Sequence, residues 1–225
     1  GTWPVSHSQQ RLWYVTRIDA QAGAAYHLPA ALRLRGALDR VALQRALERI
    51  VARHESLRAR FVMVDGQPRQ RIEAAQGVAL ELQEIDGLFS GPGGPDELGR
   101  STLRALCQAE AAAPFDLERE PPLRVRLLRL AADEHVLLLT MHHIVSDGWS
   151  LAVLAHEFSA LYGAFSRGEP DSLPALPVRY GDYVAWQRRR LQGDSAQAQL
   201  RYWVDRLRDA PPLIGLATDR PRPPQ

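Results

Sequence analysis

The run Val136-Leu137-Leu138-Leu139-Thr140-Met141 leads without interruption into His142-His143-Ile144-Val145-Ser146-Asp147-Gly148-Trp149. Its first part is almost wholly apolar, which is typical of a β-strand buried on both faces. Because successive side chains of a strand point to opposite faces, we expect His143 to share a face with Met141 and His142 to face the other way. Only one of the two histidines can then readily enter a given cleft, and the other has to be satisfied inside the fold.

The two histidines carry the chemistry that this stretch predicts. An imidazole suits general acid–base catalysis near neutral pH, and His143 is the main candidate. A helix is expected to follow the glycine turn, and its positive N-terminus could stabilise an oxyanion or hold His143 neutral. The alternative is a purely structural role for both histidines. Asp147 is interpreted as a cap of that helix rather than as a group that transfers protons.

Other kinds of catalytic site are disfavoured. Zinc binding by His142, His143 and Asp147 is unfavourable because adjacent strand histidines diverge. There is no G-x-S-x-G elbow to indicate a serine hydrolase. Cys107 lies in a predicted helix without a nearby histidine, so packing is its expected role.

Composition narrows the function further. All 28 basic residues are arginine, and the lack of lysine and asparagine excludes a P-loop lysine, a lysine Schiff base and an asparagine-oriented Cys–His pair. We interpret the arginine bias as high-GC coding in a bacterium. The net charge of +2 is too small and too dispersed to indicate nucleic-acid binding. A single cysteine, no membrane-spanning apolar run and no secretory signal in Gly1-Thr2-Trp3-Pro4 predict a cytoplasmic protein without a membrane partner.

Periodicity and capping residues predict an α/β layered sandwich. Ser6 opens a capping box for a helix through about Ile18, and Asp39 caps an amphipathic helix. The other predicted elements are a strand at Leu32–Arg35, hairpin strands near 57–64 and 68–73 around Asp65-Gly66, a strand near 78–85, a loop at 90–95, a helix over 96–112, a strand at 123–128 with one face in solvent, and helices near 149–166, 179–192 and 195–209. The sequence thus predicts a folded region over residues 1–210 and a proline-rich linker over 211–225.

Four segments resemble the condensation-domain superfamily of nonribosomal peptide synthetases. The central one, His142 through Gly148, matches that family's H-H-x-x-x-D-G motif in full. The others are Ser6 through Trp13, which resembles the opening S-x-A-Q-x-R-L-W pattern with Ser8 in place of alanine; Arg53-His54-Glu55-Ser56-Leu57-Arg58 with Phe61; and Tyr180 through Gln187. Their order along the whole chain makes the resemblance specific.

The resemblance implies a fold like that of chloramphenicol acetyltransferase, with a mixed sheet flanked by helices. This chain would be the N-terminal one of two pseudo-equivalent lobes that enclose a tunnel, and it would be inactive by itself. The implied partners are donor and acceptor peptidyl carrier proteins, the C-terminal lobe and a neighbouring adenylation domain. No cofactor would bind directly, because the carrier proteins deliver their 4'-phosphopantetheine arms. The implied reaction is amide formation between two thioesters.

The resemblance also implies roles for particular residues. His143 would act as general base or would position the acceptor amine, and His142 belongs to the same motif. Asp147 would be structural and paired with Arg58 or Arg53. Further site residues are Gly148, which keeps the approach to His143 open; Trp149, which supports the site; and Arg188, Arg189 and Arg190, which form either a solvated helix face or a dock for an acidic carrier protein.

Two alternatives to condensation stay open at this point. An epimerization domain shares the histidine motif but inverts an α-carbon. A non-catalytic lobe that only docks carrier proteins would be an interaction module rather than an enzyme. A heterocyclization domain is disfavoured, because it would carry aspartates in place of the histidine pair.

Overall fold

Two β-sheets form the framework of the part of the chain that the structure describes. The computed structural model describes residues 1–19, 23–75, 77, 80–85, 97–211, 215 and 219–220. The chain divides into two compact units, residues 1–184 and 185–225. The predicted loop at 90–95 and most of the predicted linker lie outside the described residues, and the boundary at residue 210 stays a prediction.

The strands and helices follow the predicted order closely. The strands are β1 (Thr2–Pro4), β2 (His27–Arg35), β3 (Ala59–Val64), β4 (Gln67–Ile72), β5 (Leu80–Glu84), β6 (Leu123–Ala131) and β7 (Glu134–His142). The helices are α1 (His7–Ile18), α2 (Arg40–Arg53), α3 (Glu97–Ala112), α4 (Gly148–Ser166), α5 (Tyr180–Arg190) and α6 (Asp194–Leu207), with a 3-10 turn at Glu55–Arg58. None of the described helices is long and apolar enough to cross a membrane.

The larger sheet has the strand order β2-β7-β6-β5. β7 runs antiparallel to both β2 and β6, whereas β5 and β6 are parallel, so the sheet is mixed as predicted. The smaller sheet, β1-β4-β3, is antiparallel. Its hairpin turns at Asp65 (φ 49°) and Gly66 (φ 73°), and two successive positive φ values are the signature of the tight type I′ turn.

β7 is covered on both faces, which confirms the prediction made from its apolar run. The face that carries Leu137, Leu139 and Met141 packs in one core cluster with residues of α2 and α4. The opposite face, with Val136 and Leu138, packs in a second cluster against α3. The strand is therefore the shared wall of two hydrophobic layers.

The predicted helix caps are confirmed. Ser6 Oγ accepts from the backbone N–H of Gln9 at 3.1 Å, and the Gln9 side chain accepts from the Ser6 N–H at 2.9 Å. Asp39 Oδ1 accepts from the N–H groups of Val41 (3.0 Å) and Ala42 (2.9 Å). These bonds satisfy backbone donors that a helix cannot pair internally.

The prediction that β6 exposes one face to solvent is wrong, because α3 covers that face. Arg124 Nε donates to Glu110 on α3 at 2.9 Å, and its guanidinium lies 3.9 Å from the Phe115 ring. Arg124 therefore pairs with α3, and Arg126 pairs with Glu81 and Gln83 of β5, so neither arginine faces open water. β2 also begins earlier than predicted, at His27. It pairs along its whole length with β7, and as an end strand of the described sheet it tolerates Pro29.

Candidate active site

His143 lies where β7 leaves the sheet and turns into α4. Its backbone N–H donates to the carbonyl of Tyr26 at 2.8 Å, and the N–H of Val145 donates back to the His142 carbonyl at 3.1 Å. The His143 side chain is exposed and lines a cleft of about 720 Å³. The structure thus brings the predicted central residue to an open cavity.

His142 takes the opposite face and is fully buried. Its Nδ1 accepts from the backbone N–H of Ile144 at 3.0 Å, so the ring carries its proton on Nε2. The ring packs edge-on against His27 (5.8 Å between centroids) and Phe115 (5.9 Å). Burial, helped by the nearby charges of His27 and His143, lowers the pKa of His142 to about 4. His142 is therefore a neutral internal group at pH 7 and does not line the cleft.

Asp147 caps α4, as its position before the helix predicted. Its Oδ1 accepts from the Ser150 N–H at 2.8 Å and from the Ser150 hydroxyl at 2.6 Å. These bonds, with a smaller contribution from the charge of His143, lower the pKa of Asp147. The carboxylate therefore already occupies the N-terminus of α4, where the sequence suggested that an oxyanion could bind.

The ion pair expected between Asp147 and Arg58 or Arg53 does not form. Arg58 donates to the carbonyl of Glu73, and Arg53 donates to the carbonyl of Pro174 and to a buried carboxylate on α4. Asp147 is exposed and finds its partners in the first turn of its own helix. Asp147 therefore caps its own helix, and the pairing with a distant arginine that the resemblance implied is wrong.

The buried carboxylate is Glu157, which the sequence analysis missed. Glu157 accepts from Arg53 Nε at 3.0 Å and lies 2.6 Å from His54 Nε2, and it is 6% exposed. Burial alone would raise the pKa of Glu157, but the hydrogen bonds and charges of His54 and Arg53 outweigh it and hold that pKa below its ordinary value. The signal was available: Glu157 lies between Leu154 and Leu161 on the apolar stripe of α4.

Gly148 and Trp149 both border open space. A Cβ added to Gly148 would meet nothing within 4 Å, so packing does not require glycine there, and open space surrounds the position. Trp149 is 79% exposed and lines a smaller cavity beside the cleft, so it does not brace the site from within the fold.

The arginine run lies at the end of α5. Arg189 and Arg190 are exposed, and the Arg190 guanidinium stands 5.7 Å from the centre of the Trp186 ring. This arrangement fits a solvated helix face, and a docking role stays a prediction.

Cys107 packs against the apolar cluster beneath α3, and burial raises the pKa of its thiol. Among the described residues, no three His, Cys, Asp or Glu side chains come together as a metal site would require.

The four sequence segments meet around the cleft. Ser6 Oγ lies 3.0 Å from the Tyr180 hydroxyl, which joins the first segment to the last. Gln9 Nε2 donates to the Ile144 carbonyl at 3.3 Å, which joins the first segment to the histidine segment. His54, from the segment Arg53–Arg58, lines another side of the same cleft. Burial raises the pKa of the Tyr180 hydroxyl. Residues far apart in the chain thus build one site.

A mixed sheet with helices on both faces and a histidine at the end of its buried strand defines the class of fold to which solved condensation domains belong. The family model for the condensation domain matches residues 1–225, and the chain belongs to that family. It is 45% identical over 222 residues to Malpibaldin synthetase of Mortierella alpina and 42% identical over 219 residues to a linear gramicidin synthase of Brevibacillus parabrevis.

These two relatives are far longer than the chain. The matches cover 98% and 97% of the chain but only 4% of either synthetase. Among solved structures, the X-domain from teicoplanin biosynthesis superposes with a TM-score of 0.82 at 32% identity, over 98% of this chain and 46% of that one. The first condensation domain of the calcium-dependent antibiotic synthetase gives a TM-score of 0.76 at 25% identity, over 94% and 48%. The chain therefore spans about half the length of these solved domains.

Removal of Glu157 tests whether its buried charge cluster stabilises the fold. Loss of one partner from a buried pair typically costs about 3–5 kcal/mol, because the other charge is left uncompensated. We expect Glu157→Ala to lower the free energy of unfolding by about that amount in urea denaturation. The matched control is Glu97→Ala, whose carboxylate pairs with Arg100 on the surface and should matter little. Equal stability of the two variants would contradict the assignment.

Replacement of Asp147 tests the capping role. Loss of an N-cap side chain costs about 1 kcal/mol, so Asp147→Ala should lower the free energy of unfolding by that amount. Asp147→Ser should restore most of the loss, because serine also caps. A loss of about 3–5 kcal/mol that serine does not recover would point instead to a buried ion pair.

Proposed function

We propose that this chain is the N-terminal lobe of a condensation domain that forms an amide bond between a donor acyl or peptidyl thioester and an acceptor aminoacyl thioester. The observation that carries the proposal is the exposed His143 imidazole in a cleft where all four sequence segments meet. Family membership and the synthetase relatives support it. Because those relatives act as much longer proteins, the full reaction is assigned to a synthetase that contains this chain.

The proposed reaction follows from the chemistry of the cleft. The acceptor amine attacks the thioester carbonyl carbon, and the C–N bond forms as the carbonyl oxygen gains negative charge. The C–S bond then breaks and releases the donor carrier's thiol arm. His143 takes up the proton that the nitrogen loses and returns it to the departing sulfur. Asp147 lies close enough to His143 for the charge of His143 to contribute to the lowered pKa of Asp147.

The proposal includes its partners. Donor and acceptor carrier proteins present their 4'-phosphopantetheine arms, and the chain itself binds no cofactor directly. A C-terminal lobe completes the tunnel, and an adenylation domain loads the acceptor. Such a synthetase works in the cytoplasm. The bacterial, high-GC origin suggested by the arginine bias stays a prediction.

A binding role is the second candidate. One matching structure is described as a complex of the X-domain and OxyB from teicoplanin biosynthesis, with a TM-score of 0.81 at 30% identity. A lobe of this fold can therefore form part of a module that holds a protein partner. The complete histidine motif in this chain favours catalysis over docking alone.

Replacement of His143 separates these functions. In a synthetase that contains this chain, we expect His143→Ala to slow dipeptide formation from carrier-loaded substrates by about 10²–10⁴-fold, the usual contribution of a general acid or base. The exposed His156 on α4 provides the control, since His156→Ala should leave the rate unchanged. Circular dichroism should show the same fold for all three proteins.

Three results would count against the proposal. Near-wild-type turnover by His143→Ala would remove His143 from catalysis. Hydrogen exchange at the substrate α-carbon without amide formation would identify an epimerization domain. Carrier binding by the wild-type protein with neither reaction would leave a docking lobe.

A further inference from the structure

A second cavity opens beside the cleft, between the 3-10 turn Glu55–Arg58 and the first turns of α4. Its volume is about 140 Å³. It shares part of its lining with the cleft that contains His143, and the shared residues are His54, Ser56, Val145, Ser146 and Ser150. We call it the side pocket. Its position makes it a branch of the cleft rather than a separate site.

The side pocket is polar where it shares its lining with the cleft, a part that we call the neck, and apolar at its far wall. Four of the five shared residues carry a hydroxyl or an imidazole, so the neck can hydrogen-bond a polar group. The residues that line the side pocket alone are all apolar: Leu57, Met141, Trp149, Val153 and Leu154. A ligand that fits this arrangement has a polar backbone at the neck and an apolar side chain at the wall.

The volume limits the size of that side chain. A cavity of about 150 Å³ lined by apolar residues holds a molecule of the size of benzene. The side pocket therefore has room for a branched aliphatic side chain or a phenyl ring. A methyl group would leave most of it unfilled.

The neck also contains an unsatisfied group. The hydroxyl of Ser146 is buried and has no hydrogen-bond partner within the described part of the chain. Buried hydroxyls in folded proteins are nearly always paired, so such an exception calls for an explanation. A polar substrate atom that enters the neck would supply one.

We propose that the side pocket receives the apolar side chain of a reacting residue and selects leucine-sized or phenylalanine-sized substrates. This inference rests on the proposed function, because it takes the occupant of the cleft to be an acyl or aminoacyl thioester. Donor and acceptor residues have the same side-chain chemistry. The experiment varies them separately and so identifies which of the two enters the side pocket.

Val153 is the position at which to test this selection. It lies on the apolar wall and is 37% exposed, so a larger residue can narrow the side pocket without disturbing the core. Val153→Phe fills the side pocket and Val153→Ala enlarges it. The matched control is Val41→Phe, a valine on α2 that is 70% exposed and lines neither cavity.

The kinetic arm uses a synthetase that contains this chain. Donor and acceptor carriers are loaded in turn with alanine, leucine, phenylalanine or tryptophan. Small changes in an apolar pocket alter discrimination by about 10–200-fold. Val153→Phe should therefore lower the leucine-to-alanine ratio of kcat/KM at least about tenfold, for the donor or for the acceptor but not for both. Val41→Phe should leave both ratios unchanged.

The binding arm does not depend on catalysis. The chain has two methionines, and Met141 lies in the side pocket whereas Met63 lies on β3 and lines neither cavity. With ¹³C-labelled methionine methyl groups, N-acetyl-leucinamide should shift the Met141 signal and leave that of Met63 in place. N-acetylglycinamide should shift neither, and Val153→Phe should abolish the Met141 shift.

The two arms distinguish a failure of the side-pocket proposal from a failure of the proposed function. A Met141 shift that depends on Val153, in a protein that forms no amide, would support the side pocket and overturn the proposed function. An unperturbed Met141 signal would overturn the side pocket. So would a Val153→Phe variant that slows all substrates equally.

Discussion

The coverage of β7 on both faces is the constraint from which the rest of the site follows. β7 packs against α2 and α4 on one face and against α3 on the other, so it has no solvent face along its length. Where the strand ends, its alternation sends His142 into the α3 layer and His143 into the cleft. The packing that buries His142 and keeps it neutral thus also leaves His143 exposed in the cleft.

Long-range polar contacts then hold the cleft around that strand end. Ser6 and Tyr180 join the beginning of the fold to α5, and Glu157 ties the end of α2 to α4 through Arg53 and His54. Asp147 satisfies the first turn of α4 and places a negative charge near His143. Oxyanion binding at the N-terminus of α4 is disfavoured, because a carboxylate already lies there.

The sequence predicted the features that depend on neighbouring residues. The capping box at Ser6, the cap at Asp39, the Asp65-Gly66 hairpin and the buried run of β7 are all encoded locally, and all were confirmed. The errors concern partners that only the fold brings together. The α3 layer over Arg124, the early part of β2 and the buried Glu157 depend on contacts across the chain. The local signal for a helix cap at Asp147 was right, whereas the pairing with Arg58 or Arg53 that the family resemblance implied was wrong.

The state of the His142 ring tests most directly whether the buried strand end gives the two histidines different roles. We predict that ¹⁵N NMR of the imidazole will show the proton on Nε2 at pH 7, because Nδ1 accepts from the Ile144 N–H. The ring should stay neutral as the pH falls and titrate only near its lowered pKa of about 4, or when the protein unfolds. A proton on Nδ1, or titration near the ordinary histidine pKa of about 6.5 in the folded protein, would contradict the account.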